Sequence, residues 1–391
     1  MHSSGVGEVR ARCDACNFHV TGGVAESLPS RYARVTFAAR GPAMLAALNR
    51  DAASLARSPW LRAALGAFGI GVMVFAFRGT SFDRAFARID ASAALLAVPA
   101  LQGVGFCLEA LGWRAILASL GERASFRALW RVRVISEALS QSLPLGVLLS
   151  EGSKPLLLRS HTGISIPTGT ASVAARKYSL VATQALLLAL VAVVGGGRLA
   201  PIIFGGALVL GISAALSGRA LCRGAVADKA RRLLARLPFC GGIARRHQAA
   251  FTDADVAAER YFGRPIGERA SRALPFLMAW CVEALETWFL LRLVGVEVGL
   301  GVAFCIEVPL GLLRSVAFFT PAGLGIQDFG YAAALASFGV PDAGAAALAF
   351  VVLKRTKEMV WVAVGYALLM IGGSGVDCMM QVRKGVALRL P

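Results

Sequence analysis

Charged residues are scarce in this chain. Asp, Glu, Lys and Arg make up only 16% of its 391 residues, whereas they make up about a quarter of a typical soluble domain. Hydrophobic residues reach 57%, and the mean hydropathy is +0.65. This balance argues against a soluble domain and predicts an integral membrane protein.

Histidine is also rare, and the common hydrolase motifs are absent. The four histidines are dispersed, and the sequence has no GxxxxGKS/T, HExxH or GxSxG pattern. The eight cysteines are scattered, and the lone CxxC at residues 13–16 has no second pair of metal ligands. We therefore expect no ATPase activity, metal, cofactor or catalytic residue.

Seven stretches carry little charge and approach the roughly 20 residues that a helix needs to cross a bilayer. They are residues 63–77, 91–108, 178–197, 199–218, 273–291, 293–319 and 359–376. The predicted fold class is all-α, a polytopic transmembrane helix bundle at residues 59–376 with about seven or eight crossings. Residues 1–58 predict a basic, disordered cytoplasmic segment, and residues 377–391 a C-terminal tail.

Basic residues outnumber acidic ones by 41 to 23 and lie mostly between the apolar stretches. This pattern fits the positive-inside rule and attraction to an anionic leaflet, so it indicates orientation in a membrane rather than binding of nucleic acid. Residues 219–272 hold twelve Lys or Arg against five acids and predict a cytoplasmic loop. Six Arg at residues 31–62 predict a cytoplasmic N-terminus.

An apolar run at residues 318–328 is interrupted by Pro321, Gly323 and Gly325 and then places Asp328 at predicted membrane depth. Hydrocarbon satisfies neither freed backbone amides nor a carboxylate, so such a break predicts a polar cavity. The break therefore indicates transport or lipid handling.

A second break matches the first at an offset of 177 residues. The offset pairs Pro144 with Pro321, Gly146 with Gly323, Glu151 with Asp328, and Lys177 with Lys354. We interpret the pairs as an internal repeat, parallel or inverted, with two broken and re-entrant helix elements. Such elements tend to meet near the bilayer midplane and line one site.

The predicted substrate-binding residues flank these breaks. Glu151, Asp328 and freed carbonyls could coordinate a cation or an ammonium headgroup. The alternative is a helix N-cap or an interfacial turn. A basic group could grip a lipid phosphate or, alternatively, snorkel to the interface, and Lys354 could simply neutralise Glu358. The basic group is Arg176, Lys177, Lys354, Arg355 and Lys357.

Five further charges lie inside apolar stretches and rarely face lipid in such positions. They predict an intramembrane polar path, in which the side chains either pair structurally or relay protons. These residues are Glu109, Glu283, Glu286, Glu307 and Arg314.

Both breaks resemble conserved regions of one family. Residues 136–146, with Glu151 and Arg176 after them, resemble the first region of the lysylphosphatidylglycerol synthase transmembrane (flippase-like) family. Residues 320–328 are similar to the second region, usually Pro-Gly-Gly-Leu-Gly ending in Glu; here Ala322 replaces a Gly and Asp328 replaces the Glu. The resemblance covers about residues 60–375, and residues 354–355 match the basic position that follows.

The resemblance implies a bacterial inner-membrane protein that moves lipids, or assists their movement, between leaflets. Synthase members also carry a soluble aminoacyl-transferase domain, for which we expect no room here. Stand-alone relatives are associated with hopanoid or glycolipid pathways, so phospholipid, glycolipid and hopanoid substrates all stay open. We expect membrane lipids as partners.

Two alternatives accompany the expected lipid flippase or transporter. One is a non-transporting membrane partner of a lipid-modifying enzyme, docked through residues 219–272. The other is a membrane enzyme that acts on a lipid-linked substrate, although no nucleophile and base at sensible spacing can be named.

Overall fold

The computed structural model describes residues 67, 70–75, 77–90, 93–142, 146–194, 200–236, 248–316, 320 and 323–371. Every regular element assigned within these ranges is a helix, so the all-α prediction is confirmed for this part of the chain. The predicted N-terminal segment, residues 1–58, and tail, residues 377–391, lie outside the described residues, as do Pro144 and Pro321.

Twelve α-helices are numbered here along the described part of the chain, and a 3-10 turn, Ala93–Leu96, leads into the second. They are α1 Phe82–Ala87, α2 Ala97–Ser119, α3 Phe126–Ser142, α4 Gly146–Thr162, α5 Ile166–Val194, α6 Ala200–Cys222, α7 Val226–Ala235, α8 Gln248–Phe262, α9 Ile266–Leu293, α10 Leu300–Val316, α11 Ile326–Ser337 and α12 Ala343–Ile371.

Three of the described helices, α5, α6 and α9, are long and apolar enough to cross a membrane. Helix α6 leaves large apolar side chains such as Ile202, Val209 and Leu216 more than half exposed. An apolar surface of this kind is stable against lipid and costly against water. The molecule is therefore a helical membrane protein, and the number of crossings stays a prediction.

The helix bounds follow the 177-residue offset found in the sequence. Helix α5 spans Ile166–Val194 and α12 spans Ala343–Ile371, so both ends of the two 29-residue helices differ by 177. Helices α2 to α5 correspond in order to α9 to α12. Helix α2 packs along α9, and α3 packs along α12, so the two halves interleave at the centre of the bundle.

The predicted loop at residues 219–272 is largely helical where it is described. Helix α8 packs on α5 and α6 through buried side chains that include Tyr261 and Phe262. The carboxylate of buried Asp255 accepts hydrogen bonds from the backbone N–H groups of Ala227 and Asp228, at 2.8 and 2.9 Å. Asp255 thus caps α7, because the first N–H groups of a helix have no partner within it.

Candidate functional site

A cavity of about 510 Å³ lies between the two halves of the bundle. Its walls come from α2 to α6 and from α9, α10 and α12, together with Thr320 and Gly323 between α10 and α11. Six basic and five acidic side chains line it, which is an exceptional density of charge for an apolar bundle. They are Arg133, Lys154, Arg176, Lys177, Arg314, Lys357, Glu109, Glu137, Glu151, Glu283 and Glu286.

Glu109 joins three helices on one wall of this cavity. Its carboxylate accepts hydrogen bonds from Arg133 Nε and Nη2 on α3, at 2.8 and 3.0 Å, and from Arg176 Nη2 on α5. Arg133 Nη1 also donates to Glu137, at 2.6 Å. The two-point contact fixes the Arg133 guanidinium, because its planar fork matches the carboxylate.

The adjacent wall carries polar atoms whose hydrogen-bonding capacity is not filled. Lys154 Nζ on α4 lies 2.7 Å from Glu151 Oε1, and Arg176 Nη1 lies 3.8 Å from the same oxygen. Arg176 Nε and Nη1 and Glu151 Oε2 are buried without a hydrogen-bond partner among the described residues. Buried polar groups are nearly always satisfied, so these atoms indicate a place for water or a polar ligand.

Lys177 differs from the other cations of the cavity. Its side chain is exposed, and it has no carboxylate within ion-pair distance in the described part of the chain, whereas the other five basic residues of the lining all do. The lining therefore carries one more positive than negative charge. Lys177 can therefore contact an anion without first breaking an ion pair.

Helices from the second half close the cavity with two more ion pairs. Arg314 Nη2 on α10 lies 2.7 Å from Glu283 Oε1 on α9, and Lys357 on α12 pairs with buried Glu286 on α9. The predicted polar-path residues Glu283, Glu286 and Arg314 are thus brought together with Glu109. In this geometry they pair across helices, as the structural reading of the sequence expected.

Both breaks reach the cavity. Val147, Ser150 and Glu151 line it after the first break, and Thr320 and Gly323 line it at the second. Gly146 starts α4 so close to the end of α3 that an added Cβ would lie 2.2 Å from the backbone oxygen of Ser140. Only glycine fits there, because the obstacle is main chain and cannot rotate away.

The second break differs from the first in what its carboxylate does. Gly325 has φ of +81°, and its N–H donates to Asp328 Oδ2 at 2.8 Å. Asp328 Oδ1 accepts from Arg355 Nη2 at 2.6 Å, and Arg355 Nη1 donates to Glu358 at 2.7 Å. Asp328 is buried outside the cavity lining and caps the start of α11, which is the alternative that the sequence left open.

Lys354 also lies outside the lining, in a closed cluster. Its ammonium donates to both oxygens of Glu307, at 2.9 and 2.8 Å, and Glu307 accepts further bonds from Thr287 Oγ1 and Tyr331 Oη, at 2.6 and 2.8 Å. Glu358, which the i,i+4 spacing suggested as the partner of Lys354, pairs with Arg355 instead. The cluster satisfies its own charges and joins α9, α10, α11 and α12.

The structure therefore divides the predicted site residues into two groups. Glu151, Arg176, Lys177, Gly323, Glu109, Glu283, Glu286 and Arg314 line the cavity. Asp328, Lys354, Arg355, Glu307, Gly146 and Gly325 are not among its lining residues and support the helices around it.

Sequence reasoning missed three charged residues of the lining, Arg133, Glu137 and Lys154, whereas Lys357 belonged to the predicted basic group. The first two lie in α3, which contains several charges and so escaped the search for apolar stretches. A signal was present in the offset of 177, which also relates Glu109 to Glu286 and Glu137 to Arg314. All four of those residues line the cavity.

Comparison with known proteins agrees with this architecture. A search of the curated proteins finds no match to the chain. The family model described as "Lysylphosphatidylglycerol synthase TM region" matches residues 60–354, which include both breaks and most of the helices around the cavity. The chain therefore belongs to the family of the lysylphosphatidylglycerol synthase transmembrane region.

Proposed function

We propose that the protein moves a membrane lipid between leaflets and that the charged cavity holds the headgroup during the crossing. The observation that carries the proposal is a cavity of about 510 Å³, inside an apolar bundle, lined by eleven charged side chains from both halves of the chain. A headgroup that leaves water needs replacement for its hydration, and fixed ionic groups supply it at membrane depth.

The proposed roles of individual side chains follow from the atoms that have no hydrogen-bond or ion-pair partner among the described residues. Lys177 has no carboxylate partner within the described residues, and Arg176 keeps two unbonded nitrogen atoms, so this pair is suited to a phosphate. Glu151 keeps an unbonded oxygen and is suited to an ammonium or a hydroxyl group. This combination accommodates phospholipid headgroups more readily than an uncharged hopanoid.

The inferred history of the fold supports a transporter. The same offset of 177 residues separates α5 from α12 and Glu109 from Glu286. This favours duplication of a four-helix unit, with the two copies facing one another across the cavity. Transporters commonly place their substrate between two such copies and expose it to each side in turn. We infer about seven or eight crossings for the bundle, with the segments at the breaks crossing incompletely.

The test is leaflet-resolved transport of fluorescent phospholipids in proteoliposomes. Lys177→Gln should lower the rate at least tenfold and leave the melting temperature within a degree or two of wild type, because exposed substitutions change stability by only about 0.5 kcal/mol. Lys229→Gln, at another exposed lysine on α7, is the matched control and should transport normally. A wild-type rate for Lys177→Gln would remove the proposed headgroup contact.

We expect the protein in the inner membrane with a cytoplasmic N-terminus, and we expect it to act without being an enzyme. Purified protein given aminoacyl-tRNA and phosphatidylglycerol should form no aminoacylated lipid. Formation of that product would replace transport by synthesis as the function.

A second candidate is a non-transporting partner of a lipid-modifying enzyme. The observation that favours it is α7, where Lys229, Arg232 and Leu233 are exposed, with Leu233 64% exposed. Charge removal at Lys229 and Arg232 would then abolish function in cells, while Lys177→Gln would have no effect. The transport proposal expects the opposite pattern.

A further inference from the structure

We call the 510 Å³ cavity described above the transport cavity. A second cavity, of about 420 Å³, lies where the start of α3 meets the ends of α4 and α12. Its lining separates into an apolar part, which includes Phe126, Trp130 and Leu368, and a basic part. The two cavities share no lining residue among those described. The transport proposal leaves this second cavity unexplained.

The basic part of the second cavity consists of Arg127, Arg131 and His161. The two arginines are four residues apart on α3, which places them on one face. Neither has a carboxylate within ion-pair distance in the described ranges, and no carboxylate belongs to this lining. In contrast, nearly every cation of the transport cavity is already paired.

His161 adds a polar atom without a partner. Its Nδ1 lies 2.9 Å from the backbone oxygen of Leu157 and 3.0 Å from Ser160 Oγ. Because the carbonyl oxygen can only accept, the tautomer with the hydrogen on Nδ1 fits this contact. Its Nε2 is buried and has no hydrogen-bond partner in the part of the chain that the structure describes. In that neutral tautomer Nε2 accepts, so a ligand group with an O–H, such as a phosphate hydroxyl, would satisfy it.

Helix packing does not require these charges. In the repeat, the offset of 177 residues aligns three basic positions with three apolar ones. Arg127, Arg131 and His161 correspond to Phe304, Val308 and Phe338. Phe304 and Val308 pack in the core formed by α5, α6 and α10. The first half therefore has a basic cluster at positions where the second half has apolar residues.

One contact indicates on which side of the membrane the second cavity lies. Arg264 Nη2, in the turn between α8 and α9, donates to the backbone oxygen of Ser119 at 2.7 Å. Ser119 ends α2, a few residues before α3 begins. The cavity therefore opens at the same end of the bundle as the basic residues 219–272, which the positive-inside rule assigns to the cytoplasm.

We propose that the second cavity is a binding site for a lipid with an anionic phosphate headgroup, separate from the transported lipid. Arg127, Arg131 and His161 would hold the phosphate, and Phe126, Trp130 and Leu368 would hold the start of the acyl chains. Arginine suits this role because its planar fork bonds phosphate at two points. Snorkelling to the interface would account for exposed Arg127 but not for the unbonded, buried Nε2 of His161.

The test is isothermal titration of the full-length protein in a zwitterionic detergent with dihexanoyl phosphatidic acid. Saturable binding is expected, and Arg127→Gln/Arg131→Gln should weaken it at least tenfold. Arg123→Gln, an exposed arginine just before α3 that is not in the lining, should change it less than twofold. Melting temperatures check folding, and Arg127→Gln alone, at an exposed side chain, should already weaken binding.

Three further measurements separate the sources of binding. Dihexanoylglycerol, which lacks phosphate, should not bind, and inorganic phosphate should bind far more weakly than the lipid. In a Lys177→Gln background, which removes the proposed phosphate contact of the transport cavity, saturable binding should remain, and Arg127→Gln/Arg131→Gln should still weaken it at least tenfold. Equal binding of dihexanoylglycerol, equal binding of inorganic phosphate, or loss of affinity in Lys177→Gln but not in Arg127→Gln/Arg131→Gln would each overturn the proposal.

Discussion

Lys354 Nζ lies within hydrogen-bond distance of both carboxylate oxygens of Glu307, at 2.9 and 2.8 Å, and both side chains are buried. The ammonium also lies 4.8 Å from the centre of the Tyr331 ring. The pair joins α10 to α12 at a point that does not contact the transport cavity. Through Tyr331, the same carboxylate also contacts α11, the helix that follows the second break.

Lys354→Gln should destabilise the protein strongly. The change leaves Glu307 buried without its cation, and breaking a buried ion pair from one side costs about 3–5 kcal/mol. Thermal melting in detergent measures the effect, and Glu307→Gln/Lys354→Gln should recover part of the loss because no isolated charge is left. A wild-type melt combined with lost transport would instead mean that Lys354 contacts the lipid.

Asp328→Asn should loosen the start of α11. The amide can still accept from Gly325 N–H, but the charge that holds Arg355 is lost, at a cost of about 1–3 kcal/mol. Hydrogen exchange should accelerate in residues 326–337 and stay unchanged in α8. Asp253→Asn, at an exposed aspartate on α8, is the control. Unchanged exchange in α11 would show that Asp328 is not a cap.

Gly146→Ala should impair folding, because the new methyl group would overlap the backbone oxygen of Ser140. The expected cost is about 1–3 kcal/mol or more, as for other cases of overpacking. Gly152→Ala in the same helix has open space around it and should be neutral or stabilising by about 0.5–1 kcal/mol. Equal melting temperatures for the two variants would contradict the close junction of α3 and α4.

The segment at residues 219–272 should face the cytoplasm, since its twelve Lys and Arg are costly to translocate. A cysteine at exposed position Lys229 should therefore react with an impermeant maleimide in inside-out vesicles and not in intact cells. The comparison requires a background from which the native cysteines have been removed. Labelling in intact cells would reverse the orientation and move the second cavity to the opposite leaflet.

Several elements could be predicted from the sequence because they depend on local composition. Low charge and long apolar stretches predicted helices in a membrane, since each helix satisfies its own backbone. The breaks could be found because Pro and Gly act locally on the chain. The offset of 177 could be read directly, and α5 and α12 obey it at both ends.

The division of the charges depended on contacts between distant helices. Asp328 and Glu151 occupy matched positions in the repeat, yet one caps a helix and the other lines the cavity. Lys354 and Lys177 are matched as well, and one is buried against Glu307 while the other is exposed. A pattern along the chain cannot separate such pairs, because it contains no information on which partner reaches each side chain.

By itself the sequence determined the helical membrane class, the two breaks, their repeat and the set of charged residues from which the site is drawn. Only the tertiary structure decided which of those charges are neutralised and which are left for a ligand. The physical reason is that an ion pair such as Arg176 with Glu109 joins residues 67 positions apart. Its formation depends on how α2 and α5 pack, which local composition does not fix.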